Sequence, residues 1–132
     1  IVTTMSSSGS ETVDLLMSWA TDSIVEEEYP LALDLLDAAL ILDPDFAEGW
    51  NRRATVHFRM GDLGLAIDDI QKTLTLEPRH FQAIAGLGII FRSLDRPEQA
   101  LDAFHRALEI HPFLDGVADA ITDLEKKQGR DI

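Results

Sequence analysis

The sequence predicts an all-α fold, a solenoid of helix–turn–helix repeats, on three observations. Proline recurs at a fixed interval: Asp43-Pro44, Glu77-Pro78 and His111-Pro112 stand 34 residues apart. Small and apolar positions keep that interval, as in Ala32, Ala66 and Ala100, in Leu36, Ile70 and Phe104, and in Ala20, Ala54 and Gly88. A fixed period of this size marks an array of supersecondary units. Within each copy, apolar residues recur twice at three- and four-residue steps around a break, which is the pattern of two amphipathic helices.

Each element can be justified in order. Residues 1–10, IVTTMSSSGS, form a flexible lead-in, rich in Ser and without helical spacing. Ser10 is placed to cap a first helix running from Glu11 or Val13 to Glu27, with Glu11 and Asp14 near its positive end. Val13, Leu16, Trp19, Ala20, Ser23 and Ile24 are expected to face inward. Glu26, Glu27 and Glu28 crowd negative charge at its C-terminus, where the helix dipole opposes them, so this end is expected to fray. Pro30 suits the first turn of a second helix that ends at Leu42 and packs Leu31, Ala32, Leu35, Leu36, Ala39 and Leu40.

The middle copy shows both helices clearly. Trp50, Ala54, His57 and Phe58 share a face between Ala47 and Met60, and Gly61-Asp62 breaks the pattern. Leu63, Ala66, Ile67, Ile70, Leu74 and Leu76 continue it until Pro78 closes the helix. The third copy starts at Phe81, turns at Leu94-Asp95-Arg96-Pro97 and ends at His111. Beyond it Val117, Ala120, Ile121 and Leu124 form an apolar stripe that Gly129 can end, a capping helix over about 115–128. The expectation is a single domain over 11–132, with repeats at about 13–46, 47–80 and 81–114, and seven helices in all.

These residues resemble the tetratricopeptide repeat (TPR) family. The third copy carries the pattern in Leu87-Gly88, Phe91, Ala100, Phe104, Ala107 and Pro112. The middle copy supplies Trp50, Ala54, His57, Ala66, Ile70 and Pro78, and the first Leu16, Trp19, Ala20, Ala32, Leu36, Ala39 and Pro44. The middle copy departs at Arg53, where the family has Leu, and at Thr73, where it has Ala. The resemblance implies a right-handed α-solenoid, and the chain also looks like small bacterial TPR proteins. Some of those are exported, which leaves a periplasmic and a cytoplasmic location both open. No targeting segment is visible, and the chain does not open on Met, which fits a processed or trimmed product.

Composition narrows the function classes. The net charge is −13; residues 1–51 hold eleven acids and no Lys or Arg, whereas 52–132 hold thirteen acids and eleven bases. That acidity opposes nucleic acid, whose binding needs phosphate neutralisation, and anionic membrane surfaces. Without Cys there is no disulfide, thiolate metal site or Cys nucleophile. The histidines His57, His80, His105 and His111 show no metal-binding spacing. Asp68 and Asp69 diverge by about 100° on a helix. The reading is no enzyme, no catalytic residue, no metal and no cofactor, with His57 a packed side chain at a position where the family has an aromatic.

Function is therefore expected to be non-catalytic protein–protein interaction. In the family, the first helix of each repeat lines a concave groove. The resemblance places Met17, Asn51, Arg52, Thr55, Phe58, Arg59, Gln82, Ile89 and Arg92 in that lining. The family's carboxylate clamp for chaperone tails uses Lys and Asn, then Asn, then Lys and Arg; the matching Met17, Thr21, Arg52, Gln82 and Gly86 all differ, which argues against that ligand. The remaining groove combines apolar, amide and arginine side chains. It suits a peptide or helix with carboxylates beside an apolar anchor, because Arg binds carboxylates in a bidentate fork. The alternative is a self-assembling structural or accessory module, a homo-oligomer using the acidic first repeat. Arg53, at a position between helices, is expected to reach an acidic side chain, with Asp37, Asp43 and Asp69 the candidates, or free helix-end carbonyls, since an unpaired buried ion is costly. The alternative is that it snorkels to solvent along its alkyl stem.

Overall fold

The computed structural model describes residues 9–129. Among them there are seven α-helices and no strand. The helices are α1 (Glu11–Val25), α2 (Tyr29–Leu42), α3 (Ala47–Arg59), α4 (Leu63–Leu76), α5 (Phe81–Ser93), α6 (Pro97–Ile110) and α7 (Val117–Lys127). Of the expected lead-in at 1–10, residues 1–8 lie outside the described residues. The chain divides into two compact units, Ile1–Glu77 and Pro78–Ile132.

In the first unit α1 packs on α2, α2 on α3 and α3 on α4. Its core joins Val13, Met17, Ala20 and Ile24 of α1 to Ala32, Leu36 and Ala39 of α2, then to Phe46 and Val56. The stacking of α3 on α2 depends on a missing side chain. A Cβ at Gly49 would stand 2.8 Å from a Leu40 methyl and 3.4 Å from the Phe46 ring. Trp50 ties the preceding connection down by donating its indole N–H to the Pro44 carbonyl, 2.8 Å away. Thr73 replaces the usual Ala at no polar cost: its buried hydroxyl donates to the Asp69 carbonyl at 2.8 Å. Two expected core residues are not core. Trp19 is 49% exposed and Leu31 46%. Both sit on the side of the first helix pair that no other described repeat covers.

In the second unit α5 packs on α6 and α6 on α7. Gly88 admits the ring of Phe104: a Cβ there would lie 2.7 Å from two ring carbons. The α5 N-terminus is capped by His80, whose Nδ1 accepts from the Ala83 N–H at 3.1 Å. His111, at the end of α6, lays its ring against Phe81 with centroids 4.6 Å apart. The close-approach positions Ala32, Ala54, Ala66, Gly88 and Ala100 are all buried, as the period requires.

The turn inside each repeat is the same Schellman motif three times. The Glu28 N–H bonds to the Ser23 carbonyl, Asp62 to His57 and Arg96 to Phe91, at 2.8, 2.8 and 2.9 Å. The residue before each donor is left-handed: Glu27 at φ 59°, Gly61 at φ 84° and Asp95 at φ 56°. Only the middle copy places glycine there. The expected fraying of the first helix is thus replaced by an ordered cap, and α1 stops at Val25 rather than Glu27.

Candidate functional site

The first helices of the repeats carry the sequence-predicted site, and the arginines of α3 divide into bound and available ones. Arg53 is bound. Its Nε and one terminal nitrogen donate in a fork to both Asp69 carboxylate oxygens at 2.9 Å, and the other terminal nitrogen donates to Asp37 at 2.9 Å. Its guanidinium also lies over the Trp50 ring, 4.9 Å from the centroid. Asp43, the third expected candidate, takes no part. Hydrogen bonding to Asp69 foremost, opposed by burial and aided by Asp37, raises the Arg53 pKa above its already high ordinary value. Asp69 is 4% exposed, and its second neighbour is His57, with Nε2 3.6 Å from the carboxylate. His57 is thereby a packed side chain.

Arg52 is bound as well. It reaches Glu48 one turn back at 2.7 Å and donates to the Thr21 hydroxyl across on α1. Thr21 in turn donates to the Met17 carbonyl at 3.0 Å. This bridge fastens α3 to α1, and it is the ordinary intramolecular pairing that a surface arginine finds beside a carboxylate. Arg59 differs: it is exposed, and among the described residues it makes no ion pair. Asn51, Thr55 and Phe58 are half-buried on the same helix. With 100° per residue, these three and Arg59 fall within about 100° of arc. The Thr55 hydroxyl is turned back to the Asn51 carbonyl at 3.3 Å.

In the second unit, Gln82, Ile89 and Arg92 fall within about 80° of arc on α5, and all three are exposed. Arg92 sits over the Phe104 ring, 5.8 Å from its centroid, and makes no ion pair among the described residues. Met17 stands apart from the rest of the set. At 7% exposure it belongs to the core cluster of the first unit, where its flexible thioether chain suits an irregular apolar space. The sequence missed the Glu48–Arg52–Thr21 bridge; the i, i+4 spacing of Glu48 and Arg52 was the available signal. Among the described residues no group of three His, Asp or Glu side chains is close enough to hold a metal ion, and no helix is long and apolar enough to cross a membrane.

The profile of the tetratricopeptide repeat matches residues 19–76 and again 52–115. A TPR repeat-containing protein of Rhizobium etli is 47% identical over 105 residues, covering 80% of this chain and 52% of that protein. Small glutamine-rich tetratricopeptide repeat-containing protein 2 of Saccharomyces cerevisiae is 25% identical over 88 residues, covering 67% of this chain and 25% of that protein. The chain thus spans about half the length of the first relative and a quarter of the second. Among solved structures, the first TPR domain of Spaghetti (RPAP3), bound to an HSP90 peptide, has a TM-score of 0.83 at 19% identity, covering 91% of this chain and 95% of that one. MamA has a TM-score of 0.80 at 20% identity, covering 89% and 69%. At these identities the structures speak to the fold. With its 34-residue period, seven helices among the described residues and these matches, the chain is an all-α solenoid and belongs to the tetratricopeptide repeat family.

Proposed function

We propose that this chain is a non-catalytic protein–protein interaction module that takes a partner peptide or helix on the first helices of its repeats. The observation that carries this reading is the split among its arginines. Arg52 and Arg53 are satisfied within the fold, whereas Arg59 and Arg92 stand exposed without an ion pair among the described residues. Each has adaptable neighbours on its own helix: Asn51, Thr55 and Phe58 beside Arg59, Gln82 and Ile89 beside Arg92. A ligand with Asp, Glu or a terminal carboxylate next to an apolar anchor suits both sets. Charge alone is insufficient, since an exposed ion pair contributes only ~0–1 kcal/mol. Burial of Phe58 and Ile89 by the anchor supplies the rest. The resemblance of fold to a TPR domain solved with a peptide is consistent with a peptide ligand.

The test is selection of a displayed random-peptide library against the parent chain, followed by calorimetry of the best peptide. Selected sequences should combine acids with a large apolar residue. The double change Arg59→Glu and Arg92→Glu should weaken that peptide by at least about tenfold on folded protein. Affinity within error of the parent's would overturn the reading.

A second reading is favoured by the charge asymmetry. Exposed arginines and a first stretch of eleven acids without a base coexist in one chain, so a second copy could supply the acidic partner. Self-assembly of this kind would make the chain a structural or accessory module. It predicts a mass by light scattering that rises with concentration, falls with salt and returns to the monomer in the double variant.

A further inference from the structure

The first helix pair carries a docking face away from the residues proposed above. Along α1 and its C-cap, Glu11, Leu15, Trp19, Asp22 and Glu26 recur at steps of four, four, three and four, which places them in one stripe within about 80° of arc. All five are exposed, Leu15 at 48% and Trp19 at 49%. Met17 and Thr21 lie about 160° and 120° around the helix from the centre of the stripe.

The internal repeat identifies what such a stripe is shaped for. One period later the positions of Leu15, Trp19 and Asp22 are Gly49, Arg53 and Val56 on α3. There each is covered by the preceding α2: Gly49 lies against Leu40, Arg53 bonds to Asp37, and Val56 is fully buried in the core shared with α1 and α2. The stripe on α1 is thus a helix-docking position with no helix on it among the described residues. Its second side follows by the same equivalence. Arg53 meets Asp69 of α4, and the matching pair one period earlier is Trp19 and Leu35 of α2. Leu31 and Leu42, both exposed, share the α2 face of Leu35.

We infer that this face binds an amphipathic helix with an apolar stripe flanked by Lys or Arg. Helical form follows from the repeat equivalence, and the apolar stripe from Leu15, Trp19 and Leu31. The basic flanks follow from charge: Glu11, Asp22 and Glu26 bracket the apolar pair, and no Lys or Arg occurs anywhere in residues 1–51. A second copy docked through the same face would bring its own eleven acids against these, which opposes a symmetric dimer. A Lys or Arg over the exposed Trp19 ring would add a cation–π contact of the kind Arg53 makes with Trp50.

The experiment uses the full chain carrying Trp50→Phe, so that Trp19 is the sole tryptophan, and a synthetic Leu/Lys amphipathic helix as probe. Trp19 emission should shift to the blue and saturate at one probe per chain. Leu15→Ser with Trp19→Ser, read by calorimetry in the parent background, should weaken the probe by at least about tenfold while the circular dichroism stays unchanged. The triple change Glu11→Lys, Asp22→Lys and Glu26→Lys disturbs no packing and should weaken it also. A scrambled Leu/Lys peptide of the same composition that binds equally would reduce the effect to general acidity and overturn the inference. Equal binding by the Leu15→Ser, Trp19→Ser variant would do the same. So would a red shift of Trp19 on deleting residues 1–8, which would mean that the chain covers its own face. A parent dimer that this variant abolishes would equally sink it, in favour of a second copy.

Discussion

Arg53 is where one residue decides the most. The family has Leu at this position, and here a guanidinium joins α2 to α4 through Asp37 and Asp69. Asp69 is the more deeply placed partner, so removal of the cation leaves a buried carboxylate without compensation. Arg53→Leu should therefore destabilise the fold by ~2–3 kcal/mol, less than the ~3–5 kcal/mol of a fully buried broken pair because one edge of Arg53 is solvated. Adding Asp69→Ala should recover part of the loss, since the two changes act on one pair. Urea midpoints check both; an additive double variant would show that the pair is uncoupled. The need for a partner was legible in the sequence, as was a short set of acidic candidates. The choice of Asp37 and Asp69 over Asp43 was not, because it depends on how α3 settles between its neighbours. Met17 shows the converse. Its place in the family pattern points to the groove, yet an unbranched apolar chain at that depth is more stable in the core.

At the scale of elements, local preference and packing can be set against each other. Gly88→Ala should gain ~1 kcal/mol of helix propensity. It would also force a methyl to within 2.7 Å of the Phe104 ring, which is buried and has no room to retreat. Overpacking of this kind costs ~1–3 kcal/mol, so the net expectation is a lower melting temperature. Gly64→Ala in α4 meets nothing within 4 Å and should raise it. The repeat turns give a second contrast. Glu27 and Asp95 hold a left-handed conformation that Gly61 holds freely. Glu27→Gly should stabilise by ~0.5–1 kcal/mol, the relief of strain exceeding the entropy of glycine. Asp95→Gly should gain less, because Asp tolerates this region better than Glu. A lower urea midpoint for Glu27→Gly would show that the turn is not strained. Helix order and most boundaries were legible here, because proline and alanine repeat at the same interval. The left-handed turns of the first and third copies were not, because glycine marks only the second. Their conformation is imposed by the hairpin as a whole.

For the molecule as a whole, charge and apolar exposure are unevenly shared. The first unit carries −11 and the second −2. Trp19 was expected to face inward with Val13, Leu16, Ala20 and Ile24 because it falls in the apolar pattern of the first helix. Helical spacing marks which side of α1 can be buried, and among the described residues no helix covers Trp19. The bare stripe around Leu15 and Trp19 has a colloidal consequence. At neutral pH its border of carboxylates holds copies apart, much as surface charge keeps a sol dispersed. Towards the isoelectric point of about 4.4 that barrier vanishes while the apolar patch remains. Solutions of the parent chain should then turn cloudy, and the neutral change Leu15→Ser with Trp19→Ser should keep them clear at the same pH. If both cloud alike, the flocculating surface lies elsewhere. If only the parent does, acidity at this end of the chain acts as the dispersant for its own stickiest patch.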